Sequence, residues 1–119
     1  MKKIIVIAEN NDLLCWIITY RLKLDGFEVK NFDNGEGASD YMLKNHFDLL
    51  ITDLQIPLMG GYNLIQTIRK NISKSIPIMV LSNTDREEIK LKILEMGGNV
   101  YVAKPVMAGE LSVRVKCLI

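Results

Sequence analysis

Four short runs of uninterrupted apolar residues constrain this chain more than any other feature. They are Ile4 to Ala8, Leu49 to Ile51, Ile78 to Leu81 and Val100 to Val102. A strand with one face in water alternates apolar and polar side chains. A run that is apolar throughout belongs to a strand covered on both faces, as inside a parallel sheet flanked by helices. A further segment, with Phe27, Val29 and Phe32, alternates and fits an edge strand. Between these segments apolar residues return at helical spacing: Leu14, Ile17, Ile18 and Leu22, then Leu64, Ile65 and Ile68, then Ile89, Ile93 and Leu94. A last helix starts near Ala108, and Asp25-Gly26, Asn34-Gly35, Gly60-Gly61, Ile76-Pro77 and Gly97-Gly98-Asn99 mark turns. Strand and helix alternate five times. With right-handed crossovers this predicts an α/β fold, one (βα)5 unit over residues 1–119.

A domain of 119 residues, 49% of them hydrophobic, can bury about two thirds of its unfolded surface, enough for one core without disulfides or a structural metal. Cys15 and Cys117 sit in apolar helical contexts outside any CxxC or Cys/His cluster, which predicts free, mostly buried thiols in a reducing cytoplasm. The net charge is +1 and the basic residues are scattered, a pattern that argues against direct nucleic-acid binding. No segment approaches the ~20 apolar residues of a membrane span. The run after Met1-Lys2-Lys3 is short and ends in Glu9-Asn10-Asn11-Asp12, unlike the cleavage region of a signal peptide.

In an open parallel sheet, functional groups gather beyond the carboxyl ends of the strands. Glu9, Asn10, Asn11 and Asp12 follow the first strand, Asp53 follows the third, and Ser82 and Asn83 follow the fourth; Tyr101 lies on the fifth, just before Lys104-Pro105. Most have ordinary explanations. Asn10, Asn11 or Asp12 can cap the first helix and Ser82 the fourth, while Tyr101 can be a plain strand aromatic and Lys104-Pro105 an exposed turn. Asp53 resists that treatment, because a carboxylate directly after Leu49-Leu50-Ile51-Thr52 is costly to bury unless it is paired or used. Elsewhere His46 reads as a loop residue, Met42, Met79 and Met96 as core, and Trp16 as packing at the domain edge.

The segment Leu50-Ile51-Thr52-Asp53-Leu54-Gln55-Ile56-Pro57-Leu58-Met59-Gly60-Gly61 resembles the phosphoacceptor segment of two-component receiver domains, of the chemotaxis-regulator-like kind. Val80-Leu81-Ser82 is similar to the family's hydroxyl site and Tyr101-Val102-Ala103-Lys104-Pro105 to its aromatic and Lys-Pro site, and the resemblance spans essentially the whole chain. It implies a flavodoxin-like, five-stranded parallel sheet in the order 2-1-3-4-5. It also implies an aspartyl phosphate on Asp53, with Lys104 and Ser82 contacting the phosphoryl oxygens and Ser82 and Tyr101 acting as switch residues. Mg²⁺ would be held by Glu9, Asn10, Asp53 and the backbone carbonyl of Gln55, and the Lys104-Pro105 bond would be cis. The implied partners are a histidine kinase or phosphotransfer protein and a downstream output domain or target, with a dimer through the fourth helix, fifth strand and fifth helix.

The chain departs from the pattern at two places. Receivers carry two adjacent acids after the first strand, and here the second is Asn10, which offers an oxygen to Mg²⁺ but no charge; metal binding should weaken roughly ten- to hundredfold. Gly60 stands where many relatives have Asp, which should cost little because Gly tolerates any backbone conformation. The sequence thus reads as a phosphorylation switch without substrate turnover of its own. The alternative is an atypical, phosphorylation-independent docking module, which rests on Asn10 alone. A haloacid-dehalogenase-like phosphatase would need a second Asp where Gln55 stands. A flavodoxin-like electron carrier would need a phosphate loop where Glu9-Asn10-Asn11-Asp12 stands.

Overall fold

A computed structural model describes residues 1–119. The strands are β1 (Ile4–Ala8), β2 (Glu28–Phe32), β3 (Leu49–Asp53), β4 (Ile78–Ser82) and β5 (Val100–Ala103). The helices are α1 (Asp12–Leu24), α2 (Gly35–Lys44), α3 (Gly61–Asn71), α4 (Glu87–Met96) and α5 (Ala108–Leu118). All the strands pair in parallel in the order β2-β1-β3-β4-β5, the flavodoxin-like doubly wound topology. The chain changes winding direction between β1 and β3, which opens a crevice beyond their carboxyl ends. The register pairs Ala8 with Thr52, Asp53 with Leu81 and Ser82 with Ala103, so the residues that end or follow these strands share one edge of the sheet.

Side-chain alternation along the strands splits the interior. Val6, Ala8, Leu50, Ile78 and Val80 face Leu64, Ile65, Ile68 and Ile93 on one side. Ile5, Ile7, Leu49, Ile51, Met79 and Leu81 face Ile18, Leu22, Leu111 and Val115 on the other. There are two apolar layers where chain length alone suggests one core, because the fully covered sheet runs between them.

Some of the other expectations hold and some need correcting. Asp53 and Ser82 are the last residues of β3 and β4 and do not follow them; the ladder continues through Leu54 N–H to the Leu81 carbonyl at 2.9 Å. Asn34-Gly35 is a helix start, with the Asn34 side chain accepting from Gly37 N–H at 2.7 Å. Asn11 is the residue that caps α1, through Leu14 N–H at 2.9 Å. Ile17 and Leu94 are exposed because their neighbours Ile18 and Ile93 point inward, and consecutive helical residues diverge by about 100°. Cys117 is exposed and Cys15 half-buried, so neither thiol is a core residue. Trp16 projects into solvent. Met42 and Met79 are buried, Met96 is partly buried, and His46 is an exposed loop residue.

Candidate phosphoacceptor site

The end of β3 presents the Asp53 carboxylate with a partner on each oxygen. Oδ1 accepts from Gln55 N–H at 3.1 Å and Oδ2 from Lys104 Nζ at 2.9 Å. The same ammonium lies 3.0 Å from Glu9 Oε1, while Glu9 Oε2 accepts from Asn11 N–H at 3.0 Å and ties down the start of the β1–α1 loop. Both acids are covered, Glu9 being 2% and Asp53 9% exposed. Burial pushes the Lys104 ammonium down, but its hydrogen bond to Asp53, its close contact with Glu9 and the negative charges of both acids outweigh that, so it titrates above the ordinary lysine range. Two carboxylates against one ammonium leave the cluster with an excess negative charge.

Glu9 Oε1 is buried without an aligned hydrogen bond, so the Lys104 ammonium meets it as an ion contact. A buried carboxylate oxygen satisfied only this way is a site for added positive charge. Glu9 and Asp53, both held against Lys104, offer carboxylate oxygens, the donor type that a hard divalent cation takes. The Asn10 side chain is exposed next to Glu9, and Gln55 is an exposed residue whose backbone N–H is held by Asp53.

Ser82 does not cap α4, which begins at Glu87 with Arg86 before it. Its buried hydroxyl accepts from Thr84 N–H at 3.2 Å, and the Thr84 carbonyl accepts from the Tyr101 hydroxyl. Ser82 and Tyr101 are thereby joined through one loop residue. The Tyr101 ring is half-buried against the apolar layer beneath α4, with Lys90 Nζ 5.6 Å from its centroid. Sequence reading missed Thr84 as the link, since a backbone carbonyl leaves no trace in side-chain chemistry. The Lys104-Pro105 bond is cis.

The loop from Asp53 to α3 is held by close backbone approach. Leu58 and Met59 both have positive φ, 51° and 83°, a conformation that costs L-residues roughly 1–2 kcal/mol each. Gly35 N–H donates to the Pro57 carbonyl at 2.9 Å, and a Cβ on Gly35 would lie 1.7 Å from the Met59 oxygen. A Cβ on Gly61 would meet the Asp53 carbonyl at 2.8 Å. Gly60, at φ −67° and ψ 172°, has an ordinary conformation and room for a Cβ, so its conformational freedom is unused.

Arg69, which sequence reading did not single out, braces the opposite end of the sheet. Its guanidinium donates to the carbonyls of Gly97, Ser73 and Ile76 and to Asn99 Oδ1. Burial holds its pKa below the usual arginine value. No helix is long and apolar enough to cross a membrane.

Residues 5–116 match the family model described as response regulator receiver domain. Over 118 residues the chain is 37% identical to the sensor histidine kinase TmoS of Ectopseudomonas mendocina, covering 98% of this chain and 12% of that protein. It is 32% identical to the probable transcriptional regulator ycf27 of Galdieria sulphuraria, covering 99% of this chain and 46% of that protein. The chain therefore spans about half the length of the regulator and a small part of the kinase. A solved structure of the receiver domain of sensor histidine kinase PA1611 from Pseudomonas aeruginosa PAO1, with a magnesium ion coordinated in its active-site cleft, superposes with a TM-score of 0.86 at 24% identity, covering 99% of this chain and 98% of that one. Fold, strand-end acids and family match converge: this chain belongs to the response-regulator receiver domains of two-component systems.

Proposed function

We propose that this receiver is a phosphorylation-driven switch that accepts a phosphoryl group on Asp53 from a histidine kinase or phosphotransfer protein. The observation that carries this reading is the Lys104 ammonium held 2.9 Å from Asp53 and 3.0 Å from Glu9 at the carboxyl edge of the sheet. In the transfer an Asp53 oxygen forms a P–O bond as the P–N bond of the donor phosphohistidine breaks, and the leaving imidazole takes up a proton. Lys104 lies beside the attacked phosphorus and neutralises charge on the phosphoryl oxygens, and the Ser82 hydroxyl, released from Thr84 N–H, donates to one of them. Glu9, Asn10, Asp53 and the Gln55 backbone carbonyl would hold Mg²⁺, as the magnesium in the cleft of the PA1611 receiver suggests; when bound, it supplies the remaining charge neutralisation. The domain turns over no substrate of its own.

The readout is the surface of α4, β5 and α5. Drawing Ser82 toward the phosphoryl group withdraws its oxygen from Thr84 N–H, and Thr84 carries the Tyr101 hydroxyl. A hydrogen bond from Ser82 to a charged oxygen, worth about 1.5–3 kcal/mol, shifts a two-state loop by roughly ten- to a hundredfold. That surface would engage an output domain, a target protein or a second receiver, with no nucleic-acid contact by this domain, and the setting is cytoplasmic. Asn10 favours a second reading, a docking module independent of phosphorylation. Incubation with acetyl phosphate and millimolar Mg²⁺ separates the two: the intact mass rises by one phosphoryl group, and Asp53→Asn abolishes the gain. An unchanged mass, under conditions that label a control receiver, overturns the switch.

A further inference from the structure

Helix α4 buries one residue, Ile93, where α2 and α3 each bury four, so its place on the sheet depends on contacts other than a core face. Its far end is pinned, because the Gly97 carbonyl accepts from Arg69 Nε at 3.1 Å and from Nη2 at 2.7 Å. Its start is not, since Arg86 precedes it without a side-chain cap. Between the two ends a pair of lysines holds the helix. Lys92 Nζ lies over the Tyr62 ring of α3, 4.7 Å from its centroid, and Lys90 Nζ lies over the Tyr101 ring of β5 at 5.6 Å. Both distances fall within the ~6 Å over which the face of a ring attracts a cation. Helical residues two apart diverge by about 200°, so the two ammoniums leave opposite flanks and α4 straddles the space between the rings.

The two rings differ in what else holds them. Tyr62 is in the first turn of α3, packed on the apolar layer beside Gly61, whose N–H donates to the Leu54 carbonyl at 3.0 Å. Tyr101 is tied through its hydroxyl to the Thr84 carbonyl, and Thr84 N–H is tied to the Ser82 hydroxyl, the group that a phosphoryl oxygen draws away. We propose that Lys90 is a positioning residue of the switch: its ammonium holds the Tyr101 ring where it stands in the unphosphorylated chain, and so sets how far the equilibrium must be driven before β5 and α4 rearrange. Lys92, the same chemistry on a ring outside the Ser82–Thr84–Tyr101 link, anchors α4 in both states. This inference rests on the phosphorylation reading above and adds a residue to it. Lys90 and Tyr101 also line a groove of about 650 Å³ between α4 and α5, together with Glu87, Glu110 and Arg114. A ring that leaves Lys90 frees its charge within that groove, so one event changes both the shape and the charge that a partner meets.

Beryllofluoride with millimolar Mg²⁺, a mimic of the acyl phosphate, is the probe, added to the 119-residue chain. An aromatic ring current moves the ε-methylene protons of a lysine lying over its face upfield. Both Lys90 and Lys92 should show that displacement in the free chain; at saturation it should collapse for Lys90 and persist for Lys92. Lys90→Gln should bind beryllofluoride about two- to fivefold more tightly than wild type. Lys90→Arg, which keeps a cation on the ring, should restore wild-type affinity, and Lys92→Gln should leave affinity unchanged while lowering the urea midpoint. The sign is diagnostic, because loss of a positive charge by itself weakens the binding of an anion. An affinity unchanged or weakened by Lys90→Gln overturns the proposal, as does an equal gain from Lys92→Gln or a Lys90 displacement that survives saturation. A wild-type chain that binds no beryllofluoride overturns the switch itself and this inference with it, whereas wild-type binding indifferent to residue 90 overturns the inference alone.

Discussion

Lys104 reaches across the carboxyl edge of the sheet to set its ammonium 2.9 Å from Asp53 Oδ2, joining the end of β3 to the loop after β5. With Glu9 on its other side, one cation holds two buried carboxylates together. Lys104→Ala should lower the unfolding free energy by about 2 kcal/mol, because it leaves like charges buried without a counterion. Millimolar Mg²⁺ should restore part of that loss and stabilise the variant more than the wild-type chain, since no ammonium competes for the site. Urea titrations of both proteins with and without the metal measure this. Equal responses to Mg²⁺ would show that the cation binds elsewhere.

Asn10→Asp adds a carboxylate beside Glu9. Mg²⁺ affinity, followed by calorimetric titration, should rise roughly ten- to hundredfold, and acetyl phosphate labelling at subsaturating metal should quicken in step. Identical affinities would place residue 10 outside the ligand set.

Gly60→Asp should stabilise the chain by about 0.5 kcal/mol. Helix α3 starts without a side-chain cap, Gly60 already has an extended conformation with room for a side chain, and Asp is among the best N-caps. A shift of the urea midpoint to higher concentration is the expected result; a downward shift would mean the added carboxylate is repelled by the acids at the site.

The far end of the fold makes an independent test. Arg69→Ala removes donors from the Gly97, Ser73 and Ile76 carbonyls and from Asn99. It should cost about 2–3 kcal/mol, from several charge-assisted hydrogen bonds lost at once. Phosphorylation of the folded fraction should be unchanged, because Arg69 braces α3 against the end of α4, away from Asp53.

Asp25 titrates below the usual carboxylate range, chiefly through the Ser112 hydroxyl hydrogen bond at 2.5 Å, with Lys116 and Arg21 also favouring its charge against the cost of burial. A folded-state pKa below the unfolded value means the stabilisation is full above the unfolded pKa, about 3.9. It is lost as pH falls through the depressed folded value. Asp25→Asn should therefore be less stable than wild type at neutral pH, and the gap in urea midpoint should close as the solution is acidified below about pH 4. A gap independent of pH would assign the effect to packing between α1 and α5.

The order of elements was legible in the sequence because each signal is local. Strands covered on both faces must be apolar at every position, so Ile4 to Ala8 and Ile78 to Leu81 declare a parallel sheet before any contact is known. Asp53, Ser82 and Lys104 could be marked for the same reason: each interrupts or follows an apolar run at a strand's carboxyl end. What the sequence left open are relations between distant segments. Which oxygen of which acid Lys104 meets, and that Thr84 links Ser82 to Tyr101, depend on strand register and loop course, which side-chain type does not encode. Glycines show the same division. Gly60 looks like the flexible turn residue yet uses no special φ, whereas Gly35 is fixed by a Met59 carbonyl that arrives from 24 residues away. Periodicity counted Ile17 with the core because apolar character says only that a residue avoids water. Which side of α1 meets the sheet is decided by packing, and packing leaves Trp16, Ile17 and Tyr20 facing out.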